Sequence, residues 1–158
     1  MRTSSDEYTI QNTQKWVHLT NNCLQKYGNN YGIHEEGNTL SFDVLREYLR
    51  ENYSKYKANF DEHIVPRIKD LIIDTYAAVR HICNPKSRCP CFELLGFDFM
   101  IDEDLRTWLI ECNDNPYIGI PNKFIQNLLP HMLNQMLEIT LDSQVKPQSN
   151  PFQGNVIK

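Results

Sequence analysis

Phe92-Glu93-Leu94-Leu95-Gly96-Phe97-Asp98-Phe99-Met100-Ile101-Asp102-Glu103-Asp104-Leu105-Arg106-Thr107-Trp108-Leu109-Ile110-Glu111-Cys112-Asn113 is the stretch on which the reading of this chain turns. Two runs rich in aromatic and aliphatic residues, Phe92–Ile101 and Arg106–Asn113, flank the polar join Asp102–Leu105. So short a join makes the pair an antiparallel hairpin. A two-residue loop at Asp104-Leu105 pairs Glu103 with Arg106. Counting outward, Met100 faces Leu109, Asp98 faces Glu111 and Gly96 faces Asn113. Leu95, Phe97, Phe99, Ile101, Trp108, Ile110 and Cys112 then share one apolar face, assigned to the core. Asp98, Glu111 and Asn113 share the other. A slip of one residue would separate the two carboxylates, so the assignment stands or falls with register.

Directly opposed side chains have Cβ atoms about 4.5–5.5 Å apart, and like charges at that distance repel. A cation resolves the conflict. Mg²⁺ takes oxygen ligands, commonly one or two carboxylates completed by phosphates and water. Asp98, Glu111 and the amide oxygen of Asn113 supply such a set, and Gly96 beside them lets a phosphate or a backbone come close. The competing reading is a solvated hairpin face that holds nothing.

Outward from the hairpin the chain alternates loops and helices. Tyr8-Thr9-Ile10 and Trp16–Thr20 have the composition of short strands. Tyr27–Asn38 has the Gly and Asn density of a long loop. A helix is expected over 42–54, capped by Ser41 or Asp43, with Phe42, Leu45, Tyr48 and Leu49 at helical spacing. A second, over Asp61–Cys83, carries a stripe from Ile64 to Ile82; its regular part begins near Pro66, and Asn84-Pro85 ends it. A third, capped by Asn122, runs from Lys123 to Asp142 and is bent or delayed by Pro130. Residues 143–158 read as a loose tail. The class is α+β: an antiparallel sheet with packed helices over residues 1–142.

The 158 residues include 41% hydrophobic and 23% charged side chains, enough apolar content for a globular domain. A net charge of -4 argues against a nucleic-acid binder, which would be basic. Arg46, Arg50, Lys55, Lys57, Arg67 and Lys69 nevertheless gather in one third of the chain, a solvated face or a contact for an acidic partner. No apolar run approaches the roughly 18–20 residues that span a bilayer, and residues 1–7 have no apolar segment of a secretory signal. An odd count of five cysteines fits a reducing compartment. Cys83, Cys89 and Cys91 lack the paired C-x2-C spacing of zinc sites. A cytoplasmic protein is expected. Neither a phosphate-binding glycine motif nor a Ser-His-Asp or Cys-His constellation is present.

Three ordered segments carry a resemblance. They are His18-Leu19-Thr20-Asn21 with Gln25-Lys26; Asn30-Tyr31-Gly32 through Glu35-Glu36-Gly37-Asn38; and Leu94–Met100 followed by Trp108–Asn113. Together with Arg2-Thr3 they resemble the C-terminal part of the tubulin–tyrosine ligase and ligase-like family. The resemblance implies the C-terminal portion of an ATP-grasp fold, expected to be incomplete in itself. It implies an ATP- and Mg²⁺-dependent, ADP-forming ligase, with K⁺ as an additional candidate cation. A carboxylate of the tubulin C-terminal tail would become an acyl phosphate, and a free amino acid, tyrosine first, would attack it. Addition of glutamate or glycine, or a non-catalytic tubulin-binding fragment, are the alternatives. Residue by residue, the resemblance places Asp98, Glu111 and Asn113 on Mg²⁺ and the nucleotide. It sets His18, Leu19, Thr20 and Asn21 beside the phosphates, Ile110 against the nucleotide, and Arg2 near the reacting phosphate as the catalytic residue. It further implies action on the microtubule cytoskeleton, with the cilium as a narrower location. The family's phosphate-holding lysines and adenine-binding hinge precede this segment and are not found in these residues.

Overall fold

The computed structural model describes residues 1–33, 38–53, 59–120, 122–142 and 144–145. The class is α+β, as expected. Five α-helices accompany one two-stranded antiparallel sheet among these residues: α1 (Lys15–His18), α2 (Asn22–Gln25), α3 (Phe42–Asn52), α4 (Val65–Cys83), β1 (Gly96–Ile101), β2 (Thr107–Asn113) and α5 (Lys123–Leu137).

α3 begins where Ser41 sits in an extended conformation and its hydroxyl accepts from the Val44 amide at 3.3 Å. Leu45 and Leu49, one turn apart, are its buried positions. They meet Phe60 and Ile64, which lie on a single π-helical turn, Phe60–Ile64, that leads into α4. That turn accounts for the Pro66 expectation. The proline takes the first turn of the α-helical part, directly after the π-helical turn. Arg46 bridges the two elements with paired 2.8 Å bonds to Asp61. Within the basic cluster, Arg46 and Arg50 are therefore engaged inside the chain, Arg50 with Glu47; Lys55 and Lys57 lie outside the described residues. The stripe of α4 is half-buried at Val65, Ile68, Leu71, Ile72 and Thr75 and exposed at Val79 and Ile82, and α4 has no fully buried residue. α5, capped by Asn122 through the Ile125 amide at 2.9 Å, continues through Pro130 and passes at Leu137 into a π-helical turn, Glu138–Asp142.

Two strand expectations fail. Tyr8-Thr9-Ile10 is irregular and ends in a turn, and Trp16-Val17-His18 is helical, in α1. β-propensity describes packing on a pleated surface more than a backbone preference, and among the described residues no strand pairs with this segment. Its carbonyls are taken by side chains instead. Ser4 Oγ donates to the Trp16 carbonyl at 3.0 Å, and Gln25 Nε2 donates to the carbonyls of Trp16 and of Leu19, the latter at 2.8 Å. Gln25, only 1% exposed, also accepts the Ser5 amide at 3.0 Å. One buried carboxamide thus ties Ser5 to the Trp16–Leu19 stretch. The middle of the long loop, 34–37, and the tail expected over 143–158, save 144–145, lie outside the described residues.

The hairpin forms with the expected partners near its open end and different ones near its turn. Gly96 pairs with Asn113, Phe97 with Cys112 and Asp98 with Glu111, but Phe99 pairs with Leu109, Met100 with Trp108 and Ile101 with Thr107. The join is a three-residue loop, Glu103-Asp104-Leu105. The Leu105 amide donates to the Asp102 carbonyl at 3.0 Å and the Asp102 amide to the Arg106 carbonyl at 3.1 Å. Leu105 closes it in the left-handed region at φ 62°. The longer loop displaces pairing by one residue. A β-bulge that leaves Ile110 without a partner displaces it back before Glu111. In consequence Trp108 pairs with Met100 and is 53% exposed, Ile110 is 57% exposed, and Cys112 is exposed. None of the three joins the core to which the sequence pattern assigned them. Phe99, Ile101, Thr107 and Leu109 form the more protected face.

Candidate functional site

The open end of the hairpin brings Asp98, Glu111 and Asn113 together. Asp98 and Glu111 are direct cross-strand partners, and Asn113 Nδ2 donates to Glu111 Oε1 at 3.3 Å. Burial pushes the Asp98 carboxyl above its ordinary value, and the hydrogen bond and charge of Glu111 push it the same way; the positive charge of Arg2 acts in the opposite sense. The pair therefore behaves as two carboxylates with too little positive charge between them. A Cβ on Gly96 would lie 2.9 Å from Pro116 Cβ, so the close approach that this glycine permits is to the chain's own Pro116.

Two carboxylates and one amide oxygen make a hard, oxygen-only donor set, which suits Mg²⁺ with its remaining positions left for water or phosphate. The Asn113 amide now donates to Glu111; turned over, it would present its oxygen. Among the described residues no group of three or more His, Cys, Asp and Glu side chains is arranged to hold a metal unaided. The donors present fit a cation shared with a ligand better than a closed structural site.

At the other end of the hairpin Asp102 serves the fold. Its carboxyl accepts the Trp108 indole N–H at 2.9 Å and the amides of Arg106 and Asp104 at 2.8 and 3.0 Å. Trp108 first, then Arg106 and Asp104, hold it below the usual carboxylate range.

Arg2 lies on the extended N-terminal segment and forms an isolated antiparallel bridge with Thr39. This places it within electrostatic reach of Asp98. His18, Leu19, Thr20 and Asn21 occupy the end of α1 and the step into α2. His18 stands edge-on to Tyr8 at 5.4 Å and its Nε2 meets the Asn12 carbonyl. Leu19 is exposed, and the Asn21 carbonyl accepts the amides of Leu24 and Gln25 at 2.9 and 3.0 Å. The link from this segment to Arg2 is Asn38, whose Nδ2 donates to the Thr20 and Thr3 carbonyls. Ile110, the bulge residue, immediately precedes Glu111 and is open to solvent.

Composition did not single out Gln25 and Asn38, the two buried polar side chains that fix these loops. Both sit in stretches whose Asn, Gln and Gly content reads as surface. The only local signal is the Gly37-Asn38 pair, which marks a backbone in the left-handed region, and Asn38 has φ 48°.

The tubulin-tyrosine ligase family model matches residues 1–151. Among curated proteins the chain is similar to tubulin glycylase 3A of Drosophila melanogaster, 32% identical over 94% of this chain and 15% of that protein. It is similar to tubulin glycylase 3B of Tetrahymena thermophila, 27% identical over 90% of this chain and 12% of the relative. The same organism's protein named "Probable alpha-tubulin polyglutamylase Ttll1" is 29% identical over 98% of this chain and 37% of the relative. The chain thus spans 12–37% of the length of these relatives.

Proposed function

The chain belongs to the tubulin-tyrosine ligase family, and from that premise we propose that it is the segment of a tubulin-modifying ligase that holds Mg²⁺–ATP. The observation that carries this reading is the Asp98–Glu111 pair: opposed carboxylates, one with a raised pKa, at the open end of a family-matched hairpin. The proposal includes the ATP-grasp fold, of which these elements would be the C-terminal portion.

Asp98, Glu111 and Asn113 would hold the cation and orient the terminal phosphates of the nucleotide. Bound Mg²⁺ supplies charge neutralisation for phosphoryl transfer to a substrate carboxylate. Arg2 adds a positive charge on the same side, suited to the charge that develops on the transferred phosphate. His18–Asn21 would stand beside the phosphates, and Ile110 would offer an apolar surface to the nucleotide. The amino group of a free amino acid would then displace phosphate and form the amide.

The expectation of tyrosine as the added amino acid finds no support among the relatives, whose names give glycine or glutamate as the group added. We therefore propose glycine or glutamate addition to a tubulin carboxylate, with action on the microtubule cytoskeleton. No described helix is long and apolar enough to cross a membrane.

Calorimetric titration of the chain with Mg²⁺–ATP tests the site. Micromolar binding that disappears in Asp98→Asn and Glu111→Gln is the expected result. Equal binding by the wild type and both variants would overturn the assignment. Incorporation of labelled glycine, glutamate or tyrosine into tubulin by this protein identifies the amino acid. The short span relative to the curated proteins favours a second reading, a tubulin-binding segment without nucleotide binding of its own. Co-sedimentation with microtubules in the absence of any calorimetric response to Mg²⁺–ATP would establish it.

A further inference from the structure

Asn38 is 0% exposed although it sits in a loop of Gly and Asn residues. Its Nδ2 donates to the Thr3 carbonyl at 2.9 Å and to the Thr20 carbonyl at 2.8 Å. Its own carbonyl accepts the Thr3 amide at 3.3 Å. Thr3 is therefore gripped on both its amide and its carbonyl by one residue, next to the bridge between Arg2 and Thr39. The left-handed backbone at φ 48° is open to Gly, Asn and Asp. The side chain narrows that choice. Of these three, only Asn supplies two N–H donors from one nitrogen. Asp would aim an acceptor at two carbonyl oxygens, and Gly would leave both without this donor.

We infer that Asn38 is a positioning residue, whose carboxamide locks the Arg2 strand to the His18–Asn21 segment and so fixes both relative to the Asp98–Glu111 pair. The inference rests on the nucleotide reading above for its functional consequence, and on the three Asn38 hydrogen bonds for its geometry. The Asn38 side chain bonds to Thr3 and Thr20 and not to the carboxylates, so it acts through the two segments that it ties.

The discriminating variant is Asn38→Gly, which suits the left-handed backbone and removes the side chain with its two N–H donors. Asn38→Asp, of nearly equal volume, is the second variant should the glycine form not fold. Amide hydrogen exchange on the full chain should show residues 1–3 and 18–21 losing protection together in either variant. Mg²⁺–ATP affinity should fall on the order of 10–100-fold, the usual loss when the support of a metal-site residue is removed. Combining Asn38→Gly with Arg2→Gln should cost no more than the larger of the two single changes, because both remove the same placed charge. A general loss of stability would instead give additive effects. Unchanged exchange, unchanged affinity or additive losses would overturn the inference. If the wild-type chain binds no Mg²⁺–ATP, the ligase reading falls, and exchange alone decides the clamp: joint loosening of the two segments upholds it, independent behaviour overturns it.

Discussion

Asp98 stands directly opposite Glu111 across the hairpin, and the Asp98 carboxyl is pushed above its ordinary value. Burial contributes most, followed by the hydrogen bond and then the charge of Glu111. The sign of the pH dependence follows. The folded chain holds the Asp98 proton more tightly than the unfolded chain, so stability is greatest where both are protonated. It declines as pH rises from the ordinary Asp pKa of 3.8 through the raised value. Asp98→Asn should therefore leave stability near that of the wild type at about pH 3 and raise it at about pH 7. The gain should be about 0.2–1 kcal/mol, the scale of a like-charged cross-strand pair. Urea unfolding at the two pH values is the measurement, and an equal difference at both would remove the electrostatic explanation.

Gly96 and Pro116 make the second prediction. An alanine at position 96 would put its Cβ 2.9 Å from Pro116 Cβ, a contact that a proline ring cannot yield by rotating a side chain. Gly96→Ala should destabilise by about 1–3 kcal/mol. Pro116→Gly removes the obstructing Cβ, so the double variant should be less destabilised than the sum of the single changes. Denaturant midpoints for the four proteins of the cycle read this directly, and strict additivity would show that the crowding lies elsewhere.

The Asp98–Glu111 pairing was legible in the sequence for a reason that contains two compensating differences. The alternation of side chains has a period of two, so any even net displacement preserves faces. A two-residue loop was expected, and the three-residue loop moves the pairing by one. The bulge at Ile110 moves it back. Nothing local announces either feature, since the left-handed position is occupied by Leu105 where Gly or Asn would be the usual sign. The same pair of shifts explains why Trp108 lies outside the core while Glu111 stands where expected. The three long helices were readable from spacing and caps, with Ser41 and Asn122 in the expected roles, whereas the single turns α1 and α2 were not. Arg2 and His18–Asn21 were identified only by resemblance. Their arrangement depends on Asn38 bonds that span 35 and 18 residues, which no periodicity records.

Leu105 joins a left-handed backbone at φ 62° to packing against the Leu45, Leu49, Phe60 and Ile64 cluster. These demands conflict, because the residues suited to the backbone are small or polar. A non-Gly residue in this region carries about 1–3 kcal/mol of strain, and branching at Cβ adds to it. Leu105→Ile should thus destabilise by more than Leu105→Met, for which a volume-conserving change costs under about 1.5 kcal/mol. Leu105→Gly should also destabilise, because relief of backbone strain is smaller than the apolar contact removed. Equal stability of the Ile and Met variants would show that packing alone governs the position.

Thr107 ends the list of conflicts in the hairpin. It is 8% exposed, it pairs with Ile101, and its Oγ1 is buried without a hydrogen-bond partner among the described residues. A buried hydroxyl without a partner carries a desolvation penalty of about 1–3 kcal/mol. Valine has nearly the same shape and an equal liking for strands, so Thr107→Val should stabilise, by about 1 kcal/mol. Thr107→Ser keeps the hydroxyl and deletes the methyl, so it should destabilise by about 0.5–1.5 kcal/mol, the range for loss of one buried methyl group. The order Val, Thr, Ser in thermal midpoint is the expected outcome. If Val instead falls below Thr, the hydroxyl is bonded to an ordered water, and its removal takes away a bond that holds β2 in register beside the three-residue loop.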